Sequence, residues 1–345
     1  MSKQKPLLLI SGVSGRIGSR AARHFSRNFQ VVGLDIFEPS ESCGECDFLF
    51  TDISSRENVQ DTFHQISEKY GKKIAGVIHL AAYYNFAGGS WEKYEAITIG
   101  GTKNLLEALK EFEVEQFLFS STILVYAPCK LGEKIDEDSP LDPKWEYPLS
   151  KVKTEALIAE QEIPGVILRI AGIYDDVCHS IPLSQQIARI NEKKIESHLF
   201  PGNPKHGATF LHMDDLIHVM QIILDKRRAL GECEIFVLGE EEVMCYRELQ
   251  DEMGRLLHGK PWRTIQIPKW VAKMGAFLQD KLPFIQSSFI KPWMIDLADD
   301  HYDVDIHKAR EVLGWEPVHA LKNCLPKMVG ALKKDPQKWY EEHGL

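Results

Sequence analysis

The 345-residue chain has no apolar run as long as a membrane span, and its first apolar stretch, Leu7 to Ile10, is too short for the core of a secretory signal. It has no long basic block. Its 41 Lys and Arg stand against 50 Asp and Glu, a formal net charge of −9. Neither nucleic acid, whose phosphates need clustered cations, nor a membrane is expected as a partner. Cysteine is sparse: seven residues, odd in number and scattered, as expected of reduced thiols in a cytoplasmic protein. Cys43 and Cys46 have C-x-x-C spacing, but no second Cys/His pair stands at zinc-finger distance, so they read as loop thiols and no metal site is expected. No internal repeat or low-complexity tract appears. What is present is ordinary globular composition, 44% hydrophobic and 26% charged, in a length that suits two lobes or one large α/β domain.

The continuous apolar run Leu7-Leu8-Leu9-Ile10 marks a strand buried on both faces. Gly12-Val13-Ser14-Gly15-Arg16-Ile17-Gly18 follows, and Ser19 to Phe29 reads as a helix with Ala21, Ala22 and Phe25 on one side. A strand, a glycine turn and a helix start make a dinucleotide site. Glycines permit close backbone approach, and the helix N-terminus faces the pyrophosphate. The second strand, Gln30 to Asp35, ends on a carboxylate 17 residues after Gly18, with Ile36 beside it. A carboxylate there accepts hydrogen bonds from a ribose diol and repels a 2′-phosphate, which favours NAD over NADP. Asp35 as a simple cap is the plainer alternative, and Arg16 could offset the repulsion.

Asp47 to Phe50 reads as a third strand, followed by Thr51-Asp52-Ile53. Asp52 suits either the adenine edge or the cap of a helix starting near Ser55. A fourth strand, Ile74 to Leu80, runs into Ala81 and Ala82, small residues that leave room for a cofactor. His79 precedes the strand end and reads as packed rather than catalytic. Tyr83, Tyr84, Asn85 and Phe86 follow as substrate contacts or as a lid. A helix is expected from about Trp91 to Phe112. A fifth strand, Glu115 to Ser121, then delivers Ser120, Ser121 and Thr122 to the same edge. Strands alternating with helices imply a doubly wound parallel sheet.

Tyr147-Pro148-Leu149-Ser150-Lys151 puts a phenol and an ammonium on one helical face. The ammonium favours the ionised phenol, whose pKa is otherwise about 10. Such a phenol can exchange a proton with an alcohol or ketone near neutral pH. The spacing is common on helical surfaces and gains weight here from the dinucleotide pattern before it.

Gly12 to Gly18, Asp35, Asp52-Ile53, His79 to Ala82, Phe119 to Thr122 with Val125-Tyr126, and Tyr147 with Lys151 occur in order. With them the chain resembles the extended short-chain dehydrogenase/reductases, the NAD-dependent epimerase/dehydratase group. The match continues through Leu168-Arg169, Phe210 to Leu216, Asp305 to Arg310 and Leu313-Gly314-Trp315, nearly the whole chain. The resemblance implies an α/β fold: a Rossmann-type doubly wound parallel sheet with a smaller C-terminal α/β substrate lobe. Residues 1–175 would bind NAD, with part of 209–240 returning to them, and 176–345 would mainly bind substrate. Tyr147 would be the acid/base. Lys151 would hold the nicotinamide ribose and depress the Tyr147 pKa. Thr122 would take the place, usually Ser, that hydrogen-bonds the reacting oxygen. Ser120 and Ile173 join the cofactor set. Tyr83, Asn85, Thr122, His179 and Ser180 form the candidate substrate set. Tyr126 reads as packing, and a homodimer is expected because the family often pairs through sheet-flanking helices.

The departures from the family pattern bear on substrate. A family Asn is Thr98, and the usual Val-Tyr-Gly-Pro is Ile173-Tyr174-Asp175-Asp176. Two arginines that grip a nucleotide-sugar diphosphate are missing: one position holds Ala208, and no Arg lies between Arg263 and Arg310. Lys205, His206 or Lys291 would compensate only in part, because a bidentate Arg–phosphate contact is hard to replace. Ile123-Leu124 stands where dehydratases carry Asp-Glu. The expectation is net oxidoreduction of a small, non-nucleotide alcohol or ketone. A nucleotide-sugar 4-epimerase is the alternative within enzymes, and a non-catalytic NAD-binding sensor or scaffold the alternative of another class.

In the second half a strand is expected at Gly165 to Ile170, with helices at Ile181 to Asn191 and Asp214 to Lys226. His212 and Asp214 would organise the junction. Short strands follow at Cys233 to Leu238 and Thr264 to Ile267. Trp270, Val271, Met274, Phe277 and Leu278 recur at helical spacing and are expected to pack as core or lid. Pro283, Phe284, Phe289, Pro292 and Trp293 would line an apolar pocket, and Lys333 to Leu345 would form a solvated, partly helical tail.

Overall fold

The computed structural model describes residues 5–39, 43–85, 88–281 and 291–345, with backbone only for 276–281. Phe86, Pro283, Phe284 and Phe289, and the side chains of Phe277 and Leu278, lie outside the described residues.

The apolar runs become the strands of one parallel sheet: β1 (Leu7–Ser11), β2 (Gln30–Asp35), β3 (Cys46–Phe50), β4 (Gly76–His79), β5 (Phe117–Thr122), β6 (Gly165–Ile170) and β7 (Cys233–Leu238). Their order is β7-β6-β5-β4-β1-β2-β3. β1 pairs with β2 in one direction and β4 in the other. The chain therefore reverses its progress across the sheet there, and a crevice opens at the carboxyl ends of the strands. Alternate side chains feed two cores. Leu8 and Ile10 pack with Ala21, Ala22 and Phe25, while Leu7 and Leu9 pack with Val59, Phe63 and Leu105 on the other face. Both faces are covered, as a parallel sheet requires.

Helix α1 (Arg16–Phe25) starts three residues earlier than the apolar pattern suggests, because extended Gly15 caps it and Gly18 is already inside. It ends at Phe25, whose carbonyl receives the Asn28 and Phe29 amides. α2 (Arg56–Tyr70) follows. The helix expected at 91–112 is a composite: an α-turn Trp91–Lys93, a π-helical stretch Tyr94–Gly100 and a further α segment Gly101–Leu109. α3 (Glu146–Ala159) carries the Tyr–Lys pair. Gly172–Tyr174 and Phe210–His212 form a small parallel pair outside the main sheet, and α4 (Ile181–Asn191) and α5 (Met213–Asp225) flank them.

A third core joins Tyr174, Leu183, Ile187, Met253, Leu325, Met328 and Trp339. Trp339 belongs to α6 (Pro336–His343), so the C-terminal segment is mostly exposed and helical, as expected, but is anchored by one buried side chain. Its indole N–H donates to the Val177 carbonyl at 3.2 Å, and Asp335 caps the helix. Trp270 and Met274 depart from expectation the other way. They are exposed, because their helix, Lys269–Lys281, turns Lys269 and Lys273 toward Asp299 and Asp296 instead. Among the described residues no helix is long and apolar enough to cross a membrane.

Candidate active site

The glycine turn sits at the carboxyl end of β1. Gly12 has φ +74°, and a Cβ there would stand 2.7 Å from the Ala81 amide nitrogen. A Cβ on Gly18 would collide with the Gly12 carbonyl, and one on Gly15 would come within 3.3 Å of it. The turn therefore folds tightly onto the start of α1, with Leu80 and Ala81 beside it, and the exposed helix N-terminus provides an anion cradle. Asp35 closes the adjacent edge. Its Oδ2 accepts the Ser14 amide at 2.9 Å and its Oδ1 the Ile36 amide at 2.8 Å, while the Ser14 hydroxyl donates to the Phe37 carbonyl. Arg16 turns away and donates to the Glu342 carbonyl at 3.0 Å, so its charge is not spent on Asp35. Asp52 accepts from the Ser54 amide at 2.9 Å and its hydroxyl at 2.6 Å, and Ser55 rather than Asp52 caps α2. Ile53 packs where a Cβ on Gly101 would go, at 2.7 Å. Ile173 lies half-buried in the strand Gly172–Tyr174. A glycine-floored cradle with a carboxylate at the ribose edge fits NAD.

The second half of the site is built on α3 and the end of β5. Extended Trp145 caps α3, and Pro148 falls in its first turn, where proline is tolerated. Tyr147 and Lys151 share a face. The Lys151 ammonium donates to the Ser120 carbonyl at 2.7 Å, lies 4.6 Å over the Phe119 ring and 5.8 Å from the centre of the Tyr147 ring. The Thr122 side chain accepts the Leu124 amide at 3.3 Å and lies close enough to Tyr147 to favour its ionised form, so phenol, hydroxyl and ammonium gather at the end of β5. The Tyr84 ring stands edge-on to Tyr147 with centres 5.1 Å apart.

Electrostatics here differ from the expectation. Burial, with Tyr84 and Tyr94 adding to it, raises the Tyr147 phenol above the ordinary tyrosine range, against a smaller opposing influence of Thr122. Burial likewise pushes Lys151 down to about 7, opposed by the Glu155 carboxylate. The net shift of Tyr147 is thus opposite to the depression expected from Lys151, because desolvation disfavours charge on both groups.

His79 is a packed residue. Its Nδ1 lies 2.6 Å from Ser11 Oγ and its Nε2 2.8 Å from Thr102 Oγ1, between the rings of Phe117 and Phe119. Thr102 donates its own proton to the Thr98 carbonyl, which makes Nε2 the protonated nitrogen. Burial, with Lys151 nearby, holds His79 down to about 3, so it stays neutral. Thr98, in the family Asn position, accepts the Tyr83 amide at 3.0 Å. Tyr83 packs edge-on against Tyr94, whose hydroxyl donates to the Asn85 carbonyl at 3.1 Å.

His179 and Ser180 are placed elsewhere. His179 Nδ1 lies 2.7 Å from Asp175 Oδ2, and its ring stacks on His343 of α6. Ser180 is buried at the start of α4. Burial tends to raise Asp175, but His179 and the His179 and Val177 amides hold it to about 2. Among the described residues no hydrogen bond, ion pair or ring contact joins His179 or Ser180 to Tyr147, Lys151 or Thr122.

Two features escaped the sequence reading. Glu155 and Arg169 form a buried ion pair at 2.7 Å behind Lys151, and the Trp145 ring lies 5.5 Å from Trp293. Only the spacing of Glu155, four residues after Lys151, pointed toward the first. A ligand-like cluster of Asp176, His212 and Cys324 also forms. His212 Nδ1 accepts the Asp214 amide at 3.2 Å, which leaves the proton of the neutral ring on Nε2, and Lys327 pairs with Asp176 at 3.0 Å. That chemistry suits a polar junction rather than a metal.

The family model described as "NAD dependent epimerase/dehydratase family" matches residues 8–239. The dTDP-D-glucose 4,6-dehydratase of Dictyostelium discoideum is 27% identical over 245 residues, 64% of this chain and 55% of that protein, so the chain spans little more than half of this relative. The UDP-glucose 4-epimerase of Streptomyces lividans is 25% identical over 97% of this chain and 96% of its own length. The crystal structure of UDP-glucuronic acid 4-epimerase from Bacillus cereus, in complex with UDP-glucuronic acid and NAD, superposes with a TM-score of 0.71. It is 21% identical and covers 95% of this chain and 99% of its own, a likeness of fold.

Proposed function

The chain belongs to the NAD-dependent epimerase/dehydratase family and is an NAD-dependent enzyme of the extended short-chain dehydrogenase/reductase type; from that premise we propose that it interconverts a secondary alcohol and a ketone at Tyr147. The observation that carries this reading is the placement of Tyr147 and Lys151 on one helical face, with the Lys151 ammonium 2.7 Å from the Ser120 carbonyl at the end of β5 that also carries Thr122. NAD, when bound, supplies the acceptor or donor of the hydride. The glycine turn and the N-terminus of α1 would hold its pyrophosphate, Asp35 a ribose diol, and Lys151 the nicotinamide ribose. Thr122 orients the reacting oxygen beside the phenol. A phenol kept protonated by burial is ready to donate to a ketone oxygen, which leaves a phenolate that the Lys151 ammonium steadies; in the reverse direction that phenolate takes the alcohol proton and the phenol is restored.

Net oxidoreduction of a substrate without a diphosphate is favoured by the missing arginine pair. Ala208 is bridged to Tyr302, and His206, a candidate substitute, lies 2.5 Å from the Asp299 carbonyl. The second reading, a nucleotide-sugar 4-epimerase, is favoured by the end-to-end likeness to such enzymes. Mixing the protein and NAD with secondary alcohols in one series and UDP-glucose in another separates them. Accumulation of reduced cofactor supports the first, and epimer formation without accumulation the second. No turnover of any compound points to an NAD-binding sensor. The reading includes a cytoplasmic setting, which the seven free thiols support, and a homodimer, which light scattering on the purified protein tests.

A further inference from the structure

One turn beyond Lys151, α3 carries a second buried ionic group, Glu155. Arg169 of β6 grips it through Nη2 at 2.7 Å and Nε at 3.2 Å to Oε2, and through Nε at 3.3 Å to Oε1. The Ser121 hydroxyl also donates to Oε1. The remaining Arg169 nitrogen, Nη1, donates to the Tyr126 hydroxyl at 2.6 Å and to the Glu137 carbonyl at 3.2 Å. Desolvating two charges costs about as much as their attraction returns, so stability alone is a poor reason for such a pair. Its place suggests another. Ser121 stands between Ser120, whose carbonyl receives the Lys151 ammonium, and Thr122, the candidate partner of the reacting oxygen beside Tyr147. One carboxylate therefore touches the strand end that holds both members of the reacting pair, and its charge lies one helical turn from a buried ammonium.

We propose that Glu155, locked by Arg169, is a positioning residue that keeps Lys151 charged and aimed at the end of β5. The proposal rests on the reading of Tyr147, Thr122 and Lys151 as the reacting set. The groups facing Lys151 are Tyr147 from its own helix and His79 from β4, both neutral at neutral pH. Those facing Glu155, besides Arg169, are Tyr126 and Cys233, both raised by burial and neutral. Glu137, beyond Arg169, turns its carboxylate to the Val237 amide at 2.8 Å. The Glu155 carboxylate is thus the anion placed to favour an ammonium at Lys151, and low local dielectric strengthens that attraction.

The test follows the Lys151 side chain directly. Lysines are labelled with carbon-13 at Cε, Lys151 is assigned with Lys151→Met, and its resonance is followed through a pH titration with and without NAD. In Glu155→Gln the Lys151 midpoint falls by about one pH unit, a tenfold change in proton affinity. Glu155→Asp restores most of it, and NAD binding by Glu155→Gln weakens most above the lowered midpoint. A midpoint equal to that of the unaltered protein overturns the proposal, since a merely structural role would lower Tm without moving it. If Glu155→Gln, with Arg169 left unpaired, does not fold, Glu155→Gln/Arg169→Met is read in the same way. The midpoint needs no substrate, so a protein without turnover would fail the functional reading and leave this result standing.

Discussion

The two halves of the crevice are made by opposite means. At the glycine turn the site exists because side chains are missing, and the backbone of Gly12, Gly15 and Gly18 closes on itself and on Ala81. At the end of β5 the site exists because side chains are crowded: a phenol, an ammonium, a hydroxyl and an ion pair are buried against one another. The first half is governed by sterics and the second by desolvation. Changes in the first should therefore act on cofactor affinity and folding, and changes in the second on chemistry and pH response.

Substitutions that separate the halves test this contrast. Tyr147→Phe should reduce turnover by about 10²–10⁴-fold while the NAD dissociation constant, read by calorimetry, stays within a few-fold. A large loss of NAD affinity in that variant would merge the two halves. Outside both, Trp339→Ala should cost about 3–5 kcal/mol in chemical denaturation by emptying the third core, and a loss near zero would return the C-terminus to a solvated tail. Gly18→Ala forces a Cβ onto the Gly12 carbonyl and should cost about 1–3 kcal/mol with a parallel loss of NAD binding. Asp35→Ala should weaken NAD by about tenfold, the scale of a lost charge-assisted hydrogen bond, and narrow the preference over NADP, with turnover at saturating cofactor unchanged.

The second half of the crevice also predicts a response of stability to pH. Lys151 is pushed down to about 7 by burial, against a usual value of 10.5. Between those values the unfolded chain holds the extra proton, so this group makes stability rise as pH rises from about 7 to about 10.5, and adds no slope below that window. Lys151→Met should remove that part of the slope in denaturation series. An unchanged slope would mean that the ammonium is not desolvated as described.

The sheet was legible because its strands are short apolar runs between glycines and helix starts: Gly165–Ile170 and Cys233–Leu238 occupy the spans their apolar patterning marks. The glycine turn was legible for a related reason, since a residue type that is needed for its lack of a Cβ leaves its mark in spacing. Helix ends were read less well, because capping by backbone at Gly15 and the π-helical turn at Tyr94–Gly100 have no side-chain signature. The net shift of Tyr147 runs opposite to the expectation, and the lowering of Lys151 was not foreseen. Spacing shows which charges are neighbours, while desolvation depends on everything packed around them. Arg169 was recognised only as part of a motif, because its partner Glu155 lies on another element and nothing in the linear sequence joins them. The anchoring of the C-terminal helix was missed because one tryptophan in an otherwise exposed polar segment, Trp339, is enough to seat it.

Cofactor reduction in single turnover bears most directly on the reacting triad. Protein with NAD, given an excess of each of a set of secondary alcohols, is followed by the near-ultraviolet absorbance of reduced nicotinamide. The account predicts a rise for the unaltered protein with at least one alcohol and none for Tyr147→Phe, although the variant binds NAD as before. An equal rise in both would show that the proton passes through some group other than Tyr147.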